Sequence, residues 1–177
     1  ISDSQALQKV CAEVPTEIAL KTFSILMARQ KGDLALQAEG AAVIATLRPG
    51  DRVLIAEACS HHAPEDDIGR VKIPRWLSQY VGGEIEIETF AGRDYPENLA
   101  DFKLVIHCGG CMLNRKEMLS RLKKAQQAGV PVTSYGVAVA FLQGVILRTL
   151  APFPSALLAF ERRAAGPANS GQTSQES

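Results

Sequence analysis

The chain has 177 residues, 46% of them hydrophobic and 21% charged, which suits one globular domain of ordinary size with a short appendage. Nineteen Lys and Arg cancel nineteen Asp and Glu, so no chain-wide attraction to nucleic acid or to an anionic membrane is expected. No run approaches the roughly eighteen apolar residues of a membrane span, and the first residues do not read as a signal peptide.

Residues 1–30 read as the end of a neighbouring unit, and the start at Ile1 without methionine reads as a fragment. Asp3 or Ser4 opens a short helix, and the apolar run 23–28 follows past Pro15. From Lys31 the pattern turns regular. Asp33 is placed to cap a helix running to about Leu47, which Arg48-Pro49-Gly50-Asp51 stops. Residues 53–56 are apolar without polar alternation, as in a strand covered on both faces. Residues 84–88 alternate Glu and Ile and read as a strand nearer an edge, and 104–106 as another buried strand. Asn114 with Glu117 fits a capping box for a helix over 114–128, with Met118, Leu122 and Ala125 as its buried stripe and Gly129 as its stop. A fourth strand is predicted over 131–135 and a very apolar helix over 137–148. Strands alternating with helices predict an α/β fold: an open, mainly parallel four-stranded sheet flanked by helices, with a short N-terminal appendage. The small, polar residues 164–177 are expected to be disordered.

Four cysteines in a chain without a secretory signature point to metal or redox use rather than a disulfide framework. Three of them fall in one constellation, Cys59-x-His61 and His107-Cys108-Gly109-Gly110-Cys111. Soft thiolates select iron–sulfur clusters, zinc or copper(I), and three of them leave one iron of a cubane without a cysteine. Cys59 follows one predicted strand and Cys108 another, and ligands of open parallel sheets bind beyond the carboxyl ends of the strands. Gly109 and Gly110 let the backbone bring N–H groups against sulfide or another anion, and the helix at Asn114 points its positive end to the same place.

The charged stretch 61–77 reads as a long functional loop. Glu65, Asp66 or Asp67 is a candidate oxygen ligand, and Arg70, Lys72 and Arg75 are candidates for holding an anionic guest. Blander roles stand beside these. Cys11 is expected to be a buried structural thiol, His62 a solvent-facing or hydrogen-bonding group, and Trp76 a cover for the core. His61 and His107 are either ligands or groups that orient the cysteines, and Asp66 and Asp67 either ligands or partners of Arg70 and Lys72. Two other chemistries fit part of the pattern. Cys108 and Cys111 form a C-x-x-C pair between strand and helix, as in a thiol-disulfide oxidoreductase. Cys59, His61, Cys108 and Cys111 together would make a closed Cys3His zinc site.

On the cysteine–histidine spacing, on Glu57-Ala58-Cys59-Ser60-His61-His62, on the run 66–77 and on Ser24-Ile25-Leu26-Met27-Ala28-Arg29 with Lys31-Gly32-Asp33, the chain resembles the carboxy-terminal part of the HydF family, the maturation GTPases of FeFe-hydrogenase. The resemblance extends from about Ile1 to Arg163. It implies a remnant of the dimerisation domain over 1–30, a cluster-binding domain over 31–163 and a tail over 164–177. It implies a 4Fe–4S cluster on Cys59, Cys108 and Cys111, with His61, His107, a nearby carboxylate or a group near Asp3 or beyond this segment as the fourth ligand. It further implies a scaffold that carries the diiron subcluster precursor to apo FeFe-hydrogenase, working with radical-SAM maturases, as a homodimer in the full-length cytoplasmic protein. GTP would belong to a missing domain, since no G-x-x-x-x-G-K-[ST] motif occurs here, and this segment is not expected to be an enzyme.

Overall fold

A computed structural model describes residues 6–58, 67–92 and 94–166. Among these, four strands, β1 (Arg52–Glu57), β2 (Glu86–Ala91), β3 (Leu104–His107) and β4 (Val132–Ser134), pair in the order β2-β1-β3-β4, all parallel. The sheet is open, as the alternation of strands and helices predicts. Every residue of β3 and β4 is buried, whereas β2 at the edge is not.

Two apolar layers cover the sheet. Val53, Ile55, Leu104 and Ile106 face α4 (Ile73–Val81) and α6 (Tyr135–Leu142), meeting Ile73, Leu77 and Val139. Leu54, Ala56, Val105 and Val132 face α5 (Arg115–Gln127), meeting Met118, Leu122 and Ala125. A third cluster joins α1 (Leu7–Glu13), α2 (Phe23–Lys31), α3 (Leu34–Ala42), α7 (Ile146–Leu150) and α8 (Pro154–Ala164) to α6, through Leu7, Ile25, Ala38, Val137, Leu150 and Phe160. The N-terminal helices are thus packed onto the body.

Local signals explain the element ends. The Asn114 side chain accepts the Glu117 N–H at 3.0 Å and Glu117 accepts the Asn114 N–H at 3.0 Å, closing the expected capping box. Asp33 caps α3 through the Leu36 N–H, and one 3-10 turn, Val43–Thr46, carries the chain on towards Leu47. The run 23–28 belongs to α2, which Thr22 caps through the Ile25 N–H. Asp3 and Ser4 lie outside the described residues, and α1 has no side-chain cap at Ala6.

Two expectations need correction. The stretch after Asp67 is not an irregular loop: one π-helical turn, Ile68–Lys72, runs straight into α4. Pro74 does not break it: it stands at the second position of α4, directly after the π-turn. The predicted helix 137–148 is two helices that begin earlier, at Tyr135, and part at Gly144, whose φ of 72° is left-handed. Residues 154–164 form α8, an element the sequence reading does not predict; residues 167–177 of the expected tail lie outside the described residues.

Candidate metal centre

With strand order 2-1-3-4 the connections leave β1 and β3 in opposite directions, and the crevice past their carboxyl ends is the switch point where ligands of such sheets bind. Cys108 follows β3 directly. Its N–H donates to the Ala56 carbonyl at 2.9 Å, and its Sγ accepts the Ala58 N–H at 3.2 Å. An amide donor on sulfur favours the thiolate, the form a metal takes. Cys108 is half-buried and Cys111 exposed. Cys59, His61, His62, Glu65 and Asp66 lie outside the described residues, and among the described ones no three His, Cys, Asp or Glu form a metal-holding group.

The loop from Cys108 to Leu113 is held from two directions. Gly110 takes φ 59°, and a Cβ there would come within 2.4 Å of the Met118 side chain, so the loop needs glycine at this point. Lys31, the last residue of α2, donates from Nζ to the carbonyls of Gly110 and Cys111, both at 3.0 Å. In return Arg115, the first residue of α5, donates from Nη1 to the carbonyls of Gln30 and Gly32 that end α2.

His107 is completely buried. Arg121 Nε donates to its Nε2 at 2.6 Å, so the other nitrogen, Nδ1, carries the proton and donates to the Cys108 carbonyl at 2.6 Å. Burial is the main reason its pKa falls to about 4; the bond to Cys108 opposes the fall and the Arg121 charge adds to it. Both ring nitrogens are occupied. In this geometry His107 orients the strand end, with each ring nitrogen in a hydrogen bond. Arg121 is itself buried, donates from Nη1 to the Gly92 carbonyl at 2.9 Å and stacks its guanidinium on Tyr95.

The three cations expected to hold an anion stand in different surroundings. Arg70 forms a two-toothed pair with Glu57, with Nη2 to Oε2 at 2.6 Å and Nε to Oε1 at 3.2 Å, and Glu57 is almost fully buried at the end of β1. Lys72 is buried and Arg75 is exposed on α4. Asp67 accepts the Arg70 N–H at 2.8 Å and thereby caps the π-turn. Trp76 is half-buried against the β1/β3 layer, and Cys11, on α1, packs against the helical cluster.

Cys108 and Cys111 also line a recess of about 230 Å³ between α2 and the start of α6. Phe23, Met27 and Met118 make its apolar wall, and Gln37, Ser134 and Tyr135 line it as well. Burial pushes the Tyr135 phenol far above its ordinary pKa, with Glu57 and Cys108 adding to the shift, so it stays an O–H donor. As site residues, Lys31, Glu57, Arg115, Arg121 and Tyr135 escape the sequence reading, although Lys31 and Glu57 stand in the runs that carry the resemblance. Arg121 leaves a different trace, because it shares the helical stripe of Met118, Leu122 and Ala125.

The hydrogen maturase F dimerization domain model matches residues 1–32, and the hydrogen maturase F tetramerization domain model matches residues 35–152. The chain belongs to the hydrogen maturase F (HydF) family. Both HydF modules are named for self-association. The Lys31 and Arg115 contacts therefore link the two: each module supplies one cation to the other's carbonyls. Among curated proteins none matches the chain. Among the described residues no helix is long and apolar enough to cross a membrane.

Proposed function

We propose that this part of HydF is a metallocluster scaffold and carrier in FeFe-hydrogenase maturation. Cys59, Cys108 and Cys111 are its thiolates for a 4Fe–4S cluster, which would supply one iron open to an exchangeable ligand. The chain binds the diiron subcluster precursor as cargo and releases it to apo FeFe-hydrogenase. Its work is binding and transfer rather than turnover, and GTP is the business of a domain outside the matched segments. Radical-SAM maturases are its other partners, self-association its quaternary state and the cytoplasm its place; neither nucleic acid nor membrane enters the account.

One observation carries this reading: two cysteine sulfurs stand at the β1/β3 switch point beside a recess, one of them already accepting an amide N–H. The donor chemistry fits an iron–sulfur cluster. The soft sulfur of Cys108 is backed by one N–H donor, and the Lys31 ammonium is bound to the loop that carries Cys108 and Cys111. The candidates for the fourth position are His61, His107, a carboxylate or an exogenous ligand.

The test is transfer. Chain loaded anaerobically with cluster and diiron precursor should bring apo FeFe-hydrogenase to hydrogen evolution, and C108S or C111S should abolish this. An iron-loaded chain that never activates the hydrogenase would contradict the carrier role.

A further inference from the structure

The loop that carries Cys108 and Cys111 receives a cation from the other module. Lys31 ends α2, inside the segment that the dimerization model matches, whereas the loop lies inside the tetramerization match. Its Nζ donates to the Gly110 and Cys111 carbonyls at 3.0 Å each, and the Gly110 carbonyl also accepts the Leu113 N–H at 3.0 Å. The base of Lys31 is held as well as its tip. Arg115 donates to the carbonyls of Gln30 and Gly32 on either side of it. Gly32 itself has no room for a side chain, since a Cβ would come within 2.6 Å of Gln37 Nε2. Lys31 therefore reaches the loop from a fixed point.

That contact has two effects on whatever the cysteines hold. In a planar trans peptide the C=O and N–H point in opposite directions. Turning the Gly110 and Cys111 carbonyls to Lys31 thus turns the N–H groups of Cys111 and Met112 away from it. Neither N–H has a hydrogen-bond partner among the described residues, and free successive N–H groups suit sulfur or another anion. The second effect is charge. The Lys31 ammonium has no carboxylate partner among the described residues, so its charge is not cancelled locally. Lys31 does not line the recess beside the two cysteines. It acts through the loop backbone and not as a ligand.

We propose that Lys31 is a positioning residue for the cysteine site, supplied by the dimerization segment: it orients the Cys108–Cys111 loop and favours the reduced, more negative state of the metal group bound there. The inference rests on the scaffold reading. It makes the site a product of both modules. The tetramerization segment holds Cys108 and Cys111, and the dimerization segment adds the cation that tunes them.

The full chain is reconstituted anaerobically with iron and sulfide as wild type, K31M, K31Q and K31R. Iron content and melting temperature verify that each is folded and loaded. The midpoint potential is read by reductive titration followed by EPR, and cluster release by the loss of visible absorbance to an iron chelator. K31M and K31Q are expected to load as wild type does, to show a lower midpoint, and to lose iron about tenfold faster, the effect of one hydrogen bond to a charged group. K31R keeps charge and donors and should return both readouts towards wild type. Loaded K31M with the wild-type midpoint and release rate overturns the role and leaves the scaffold intact. A midpoint that falls as far in K31R as in K31M overturns it too, because the charge then does not act. Should K31M not fold, K31Q decides by the same midpoint. Failure of wild type to take up iron overturns the scaffold and this role together, and the iron count tells the two failures apart.

Discussion

Arg121 Nε donates to His107 Nε2 at 2.6 Å, deep under the loop that carries Cys108 and Cys111. An arginine never accepts a hydrogen bond, so this contact fixes the tautomer of the histidine. R121M should therefore strand a buried acceptor and remove the stacking on Tyr95. A loss of about 2–3 kcal/mol in urea unfolding, at unchanged m, is expected. A midpoint equal to wild type would show that the pair does not hold α5 to β3.

The two glycines of the motif should behave differently. G110A introduces a side chain at φ 59° and against Met118, at a cost of about 1–2 kcal/mol. G109A meets open space and should stay within about 0.5 kcal/mol of wild type. Thermal melts of the two variants check this, and equal shifts would contradict the loop geometry.

Lys31 links the dimerization segment to the cysteine loop through two carbonyls. K31M should change global stability by no more than about 1 kcal/mol while loosening the loop. Alkylation of Cys111 in the metal-free chain should then be faster than in wild type. An unchanged rate at unchanged stability would mean that Lys31 decorates the loop without restraining it.

Among the basic residues of the 66–77 run, Arg70 and Arg75 separate cleanly. R70M leaves the buried Glu57 carboxylate without its partner, and a loss of about 1–3 kcal/mol is expected. R75M, at an exposed site on α4, should be within about 0.5 kcal/mol of wild type. Chemical denaturation decides, and the reverse order would contradict the Arg70–Glu57 pair as the structural contact of this run.

Much of this fold is legible because its signals are local or periodic. Residues 53–56 and 104–106 read as strands since both faces are covered, which makes the runs continuously apolar. The Asn114–Glu117 box is a four-residue signature that tertiary contacts do not disturb. The π-turn and α4 are hidden by Pro74 and by a density of charge that resembles a loop, although Arg70 is paired and Lys72 buried. The break at Gly144 is masked by the apolar residues on either side, which continue through two helices.

The site is legible where it is linear and hidden where it is tertiary. Cys108 and Cys111 stand out by spacing, and the parallel order of β1 and β3 explains why their loop meets the end of β1. Lys31 and Arg115 act on backbone about eighty residues away in sequence, and carbonyl acceptors leave no residue-type signal. Ser134 and Tyr135 read as the end of a strand, and only the packing of α2 against α6 turns them into the wall of a recess.

The central claim is an open-site cubane. It is tested most directly by anaerobic reconstitution with iron and sulfide, followed by iron counting and low-temperature EPR of the reduced chain with and without cyanide or imidazole. The account predicts about four irons per chain and a signal that shifts when ligand is added. A chain that takes up no iron, and holds instead one tight zinc or a reversible Cys108–Cys111 disulfide, would contradict it.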